Sequence, residues 1–165
     1  MSDKKMKIVR LTLIALIAIT VLFAFIQSML PTEVSSAESD AVGDIVEEII
    51  PSDTPTGSYV QNNLRKIAHF IEFACLGTEV AIYLLIFMRK PLYVLFSYPL
   101  ALITAFFDET IQIFSKRGPS ISDVWIDFSG FLTLSLLVYF VYFASSAVAN
   151  IYKRRKSELN DGKNN

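Results

Sequence analysis

From Leu11 to Leu30 the chain reads LTLIALIAITVLFAFIQSML, twenty residues without a charge. About that many are needed to carry a helix across a hydrocarbon core of roughly 30 Å. Three more apolar stretches follow, over 64–88, 92–114 and 121–145, divided by the short breaks Arg89-Lys90-Pro91 and Ser115 to Ser120. Backbone groups in a bilayer must be satisfied within each crossing segment, and these runs far exceed the roughly ten residues of a barrel strand. The pattern predicts an all-α, polytopic bundle of four transmembrane helices. Composition agrees: of 165 residues 53% are hydrophobic and only 19% charged, and the mean hydropathy is +0.46. Those figures argue against a free globular enzyme. The net charge of -1 offers no bulk attraction to nucleic acid, and a lone Cys75 cannot make a disulfide framework or a cysteine metal knuckle.

The first run has one competing reading, a cleaved signal peptide with Ser35 and Ala37 near the cut. Signal-peptide apolar regions span about 7 to 15 residues, so a retained anchor fits better. Lys4, Lys5, Lys7 and Arg10 precede span 1, Arg89 and Lys90 lie between spans 2 and 3, and Lys153, Arg154, Arg155 and Lys156 follow span 4. Four crossings put all three groups on one side, which the positive-inside rule makes the cytoplasm. Residues 1–10 and the tail 146–165 are then cytoplasmic, flanking a membrane domain over 11–145. The loop 31–63 holds seven acids and no Lys or Arg, as an extracytoplasmic segment should. Within it Val42, Ile45, Val46, Ile49 and Ile50 recur at helical spacing opposite Asp44, Glu47 and Glu48. That periodicity predicts a short amphipathic helix on the outer surface, followed by a linker over 51–58.

Charges inside spans cost roughly 2.5 to 3.5 kcal/mol each on insertion scales, so they face the bundle interior and mark function. Span 2 opens with LRKIAHFIEF, which sets Arg65, His69 and Glu72 on one helical face beside Lys66. Span 3 ends in FFDETIQIF, with Asp108 and Gln112 four apart and Glu109 adjoining. Span 4 begins RGPSISDVWIDFSG, with Asp123, Asp127 and Gly130 on one stripe. A rise of 1.5 Å per residue puts Glu72, Asp108 and Asp127 at one level, about 6 to 8 Å outward of the midplane. A single site opening to the outer face is therefore expected. Its charges nearly balance, Arg65, Lys66 and Arg117 against Glu72, Asp108, Glu109, Asp123 and Asp127, with His69 titratable among them.

Each residue also has a plainer reading. His69 could be a structural hydrogen-bond partner, a proton acceptor or a metal ligand. HxxE with DE and DxxxD could hold a hard divalent ion, although no HExxH motif or recognised zinc set is present. Arg65, Lys66 and Arg117 could anchor helix ends at headgroup level, or pair with a phosphate, for which arginine has the geometry. Ser120 and Asp123 resemble a capping box after the Gly118-Pro119 turn. Glu79, seven residues beyond Glu72 and deeper, reads as a structural carboxyl or a proton-path residue.

Taken together, Lys66-Ile67-Ala68-His69-Phe70 with Glu72 and Gly77, Asp108-Glu109-Thr110-Ile111-Gln112 with Phe114 and Arg117, and Asp123, Asp127 and Gly130 resemble the VanZ-like family of multi-pass bacterial membrane proteins. The resemblance covers about Gln27 to Leu137, including Gln27-Ser28 and the acidic outer segment. Two departures stand out: Asp127 where the family often has Asn, and Leu134 where it has a second glycine. The resemblance implies a link to low-level resistance to teicoplanin, a lipid-tailed glycopeptide acting at the cell surface. An acyltransferase label carried by some relatives fits poorly, because that chemistry uses soluble coenzyme A substrates.

The leading expectation is a VanZ-like membrane protein with an outward polar pocket, affecting lipid or cell-surface handling and glycopeptide susceptibility. Arg65, Lys66, Gln112 and Arg117 would bind the ligand, with His69, Glu72, Asp108, Glu109, Asp123 and Asp127 as the polar cluster. Membrane lipids, and a lipid-linked cell-wall precursor or lipoglycopeptide, are the partners in view. No cofactor is evident, and a divalent cation stays open. The alternatives are an intramembrane hydrolase or transferase on a lipid-linked substrate, with a carboxylate or His69 as base, and a membrane scaffold.

Overall fold

In a computed structural model the chain forms five α-helices: α1 Asp3–Met29, α2 Thr32–Ile49, α3 Pro55–Tyr83, α4 Pro91–Gln112 and α5 Ile121–Asp161. The structure describes residues 2–88, 90–115 and 118–161, without the side chains of Thr32, Pro91 and 157–161. Four helical stretches are long and apolar enough to cross a membrane, Asp3–Met29, Pro55–Met88, Leu92–Gln112 and Ile121–Lys156. No strand occurs among the described residues. The all-α bundle with one additional amphipathic helix is as expected.

Several boundaries move. Helix α3 begins nine residues before Leu64, inside the stretch read as linker, because Thr54 and Pro55 supply a start signal. The Thr54 hydroxyl accepts a hydrogen bond from the Gly57 amide at 3.0 Å, and proline at the first helical position leaves no amide needing a partner. Gly57 is required there, since a Cβ would lie 2.0 Å from the Pro51 carbonyl oxygen. After Tyr83 the helix widens into a π-helical turn, Leu84–Met88. Helix α5 runs on past Ser145, as no Gly or Pro after Gly130 interrupts it before Asp161.

Helix α2 spans 18 residues, twice the expected amphipathic segment. It lies along α3, where the Gln61 side-chain amide donates to the Gly43 carbonyl at 2.9 Å and to Glu47 Oε2 at 3.3 Å. Glu47 also accepts from the Ser52 amide and hydroxyl, and these hydrogen bonds hold its carboxyl below the ordinary glutamate range. Val42, Ile45 and Ile49 remain exposed.

The four long helices close a ring, α3 against α1 and α5, and α4 against the same two. Phe73, Leu76, Ala101, Ala105, Phe131 and Ala24 fill its centre, with Tyr98 set edge-on to Phe131 at 6.1 Å. The tightest seam is α3 on α5. A Cβ on Gly77 would sit 2.3 Å from the Phe131 carbonyl oxygen, and one on Gly130 would sit 2.2 Å from that of Phe70. Each glycine thus admits the opposing backbone, which is how small residues pack helices in the absence of a hydrophobic driving force. The seam forms despite Leu134 standing where the related pattern has a second glycine.

Gly130→Val should force α3 and α5 apart and cost at least about 1 to 3 kcal/mol, whereas Gly118→Ala meets no atom within 4 Å. Thermal unfolding of the purified variants in detergent should show a lowered midpoint for the first and an unchanged one for the second.

Candidate functional site

The α3–α5 seam brings one turn of each helix into register with the last turns of α4. His69 Nδ1 lies 3.7 Å from Asp108 Oδ2, 3.8 Å from Asp127 Oδ1 and 3.9 Å from Glu72 Oε2. One imidazole nitrogen therefore faces carboxylates from three helices. Asp108 and Asp127 are 0% and 1% exposed, and their surroundings differ. Asp108 Oδ2 accepts the Ser28 hydroxyl of α1 at 2.7 Å and the Gln112 amide at 3.4 Å. Neither oxygen of Asp127 has a hydrogen-bond partner among the described residues, nor have Asp108 Oδ1 and Glu72 Oε2.

Gln112 organises a second layer. Its Nε2 donates to Glu109 Oε1 at 2.7 Å, and its Oε1 accepts from the Arg65 guanidinium. Glu109 Oε2 in turn accepts the Ser120 amide at 2.8 Å, next to the start of α5. That bond replaces the expected capping box: the Ser120 hydroxyl pairs with Ser122, and the Asp123 amide donates to the Ser120 carbonyl. Ser115 Oγ donates to the carbonyls of Ser28 and Gln112, tying α1 to the end of α4.

Of the residues singled out by sequence, Glu72, His69, Asp108 and Asp127 form the centre, and Arg65, Glu109 and Gln112 the layer beside it. Lys66 is exposed and Asp123 half-buried, both on a cavity wall. Arg117 lies outside the described residues. Sequence reasoning did not foresee Ser28 as a ligand of Asp108, because an uncharged hydroxyl inside an apolar run carries no signal. It also missed Asn62 and Asn63, which stand in the part of α3 read as loop. Glu79 is held apart from the cluster by the Thr20 hydroxyl at 3.0 Å.

Two cavities flank His69 and Arg65. One of about 130 Å³ is closed by α2, through Ser35, Glu38 and Ser39, against Gln27 and Glu72. The other, about 150 Å³, is lined by Asn62, Asn63, Lys66, Glu109, Asp123 and Asp127. Behind Glu109 lies a larger apolar groove of about 710 Å³ between α4 and α5, walled by Phe106, Phe107, Ile113, Val124 and Trp125 and reaching Ser120. Glu109 thus borders both a charged cavity and an apolar surface.

The arrangement can hold a proton on His69 between carboxylates, bind a cation among them, or present Lys66 and the Arg65 edge to an anion. Gln112→Leu removes the partner of Arg65, Glu109 and Asp108 at once. Buried groups left unsatisfied cost about 1 to 3 kcal/mol each, so chemical denaturation should show a loss in that range or above. Thr110→Val, whose hydroxyl bonds only its own helix at Phe106, should change little.

No curated protein and no solved structure matches the chain. A family model does, described as VanZ/LLP1, over residues 11–145. That span takes in all four apolar helices' central portions and every residue of the cluster around His69, and on it the chain belongs to the VanZ/LLP1 family of membrane proteins.

Proposed function

We propose that this protein receives the anionic head of a membrane amphiphile in the cavity beside His69, and that by doing so it alters lipid or surface handling and susceptibility to glycopeptides such as teicoplanin. The observation that carries the reading is the position of Glu109 on the wall of both the charged cavity and the apolar groove. An amphiphile needs such a junction, a polar seat continuous with a surface for its chain. Lys66 and Arg65 supply cations on the polar side, and Phe106, Phe107 and Trp125 the apolar wall. A lipid or lipid-linked cell-wall precursor has that chemistry.

The cavity opens to the extracytoplasmic side in this reading. The support is the distribution of charge: Lys4, Lys5, Lys7, Arg10, Lys90 and 153–156 fall at one end of the bundle, and the loop 31–63 lacks Lys and Arg. Both termini are then cytoplasmic in a bacterial membrane.

A second reading, an intramembrane hydrolase or transferase on a lipid-linked substrate, is favoured by one observation, the imidazole set among carboxylates of Glu72, Asp108 and Asp127. His69 or one of those groups would act as general base. Turnover of a polyprenyl phosphate by the wild-type protein, abolished in His69→Ala, would promote it over simple binding.

Binding is the direct test. The full chain in nanodiscs should take up a fluorescent phosphatidylglycerol or polyprenyl phosphate in preference to phosphatidylcholine, and Lys66→Ala should weaken that uptake several-fold. Equal affinity for the zwitterionic lipid, or no change in Lys66→Ala, would contradict the reading. In a bacterial deletion strain, complementation by wild type should lower teicoplanin susceptibility, and complementation by Lys66→Ala should do so less.

A further inference from the structure

The acids around His69 outnumber the bases that reach them. Arg65 hydrogen-bonds the neutral Gln112 amide oxygen rather than a carboxylate, and Lys66 is exposed at the rim. An imidazole supplies at most one positive charge to Glu72, Asp108 and Asp127. Asp127 is 1% exposed, and neither of its oxygens accepts a hydrogen bond from the described residues. A buried carboxylate without donors is costly unless it is protonated or a cation or metal ion compensates it. An anionic headgroup that passes Lys66 at the rim meets those acids deeper in the cavity.

We infer that His69, Asp108 and Asp127 form a binding site for one divalent cation, with Glu72 as a further donor, and that this ion is the charge to which the headgroup phosphate is drawn. The second half rests on the headgroup reading above; the first does not. One donor atom from each of the three residues lies within 4.8 Å of the others, and the imidazole nitrogen is 3.7 and 3.8 Å from the two aspartates. Donors about 2.1 Å from one ion stand about 3.0 to 3.4 Å apart at octahedral or tetrahedral angles. The imidazole and each aspartate must draw together by a few tenths of an ångström, and the two aspartates, within 4.8 Å of each other, by at most about 1.4 to 1.8 Å, a movement within reach of side-chain rotation.

The donors come from three helices, so the ion would tie α3, α4 and α5 together. Outer partners are in place as well: the Ser28 hydroxyl and the Gln112 amide both bond Asp108 Oδ2 and orient that carboxylate. One imidazole with two or three carboxylates and no thiolate suits Zn²⁺ or Mn²⁺ better than Cu(I). The exposed Cys75 takes no part. A bound phosphate would bridge the ion and Lys66, leaving Asp123 at the rim.

The test uses the full-length protein in nanodiscs, stripped with EDTA and titrated with Mn²⁺ or Zn²⁺ by calorimetry. One saturable ion per chain is expected. Loss of an outer partner alone weakens metal sites about 10- to 100-fold, so Asp127→Asn and His69→Gln should each weaken binding at least about tenfold, while Glu48→Gln, at an exposed position of α2, should not. Helical circular dichroism and a monodisperse elution profile establish that each variant is folded, and two independent ligand variants guard against one that is not. Absence of saturable binding to wild type, or equal binding by wild type and both ligand variants, overturns the site. Phosphatidylglycerol uptake is measured in parallel with and without EDTA. Ion binding with uptake indifferent to EDTA overturns the phosphate role and keeps the site. Uptake without ion binding overturns the site and keeps the headgroup reading.

Discussion

Inside an apolar bundle, a histidine nitrogen within 4 Å of carboxylates from its own helix and two others is an arrangement that the rest of the fold has to sustain. Each acid taken singly would be expelled toward water or pulled to the headgroup region. Held together, they share one imidazole, and Asp108 adds the Ser28 hydroxyl and the Gln112 amide. The helices cannot slide past one another without breaking these contacts. A polar centre in this setting fixes register more than it adds stability.

Backbone proximity makes that centre reachable. Gly77 and Gly130 let α3 and α5 approach until a carbonyl of each occupies the space a Cβ would need. Gly130 lies three residues beyond Asp127, and Phe70 follows His69 directly, so the closest approach of the two helices and the closest charges fall within one turn. Phe73 and Phe131 seal the bundle below. Glu79 and Thr20 form a separate pair on that side. The cluster around His69 thus sits at the end of the bundle where α2 folds back over α3.

The spans and the cluster were legible in the sequence because both rest on strong periodic signals. Long uncharged runs have few other uses, and Arg65, His69 and Glu72, or Asp123, Asp127 and Gly130, share a helix face by spacing alone. The less legible parts depend on local or uncharged groups. Pro51, Pro55 and Gly57 look like a linker by composition, yet Thr54 followed by Pro55 is a helix start, and α3 gains two turns and more from it. Ser120 and Asp123 have the residues of a capping box, but Glu109 competes from another helix for the Ser120 amide. Ser28 was visible only as part of a resemblance, and its bond to Asp108 needs the packing of α1 on α4. The extent of α2 was underestimated because its first turns, Thr32 to Asp40, are too polar for an apolar stripe.

His69 and Asp127, on different helices, interact directly across the seam of α3 and α5. A double-mutant cycle of His69→Gln and Asp127→Asn, read by chemical denaturation of the purified chain in detergent, measures that most directly. Residues in contact couple by about 0.5 to 3 kcal/mol, and distant ones add to within about 0.3 to 0.5 kcal/mol. A coupling above about 1 kcal/mol is expected; strict additivity would contradict a direct contact.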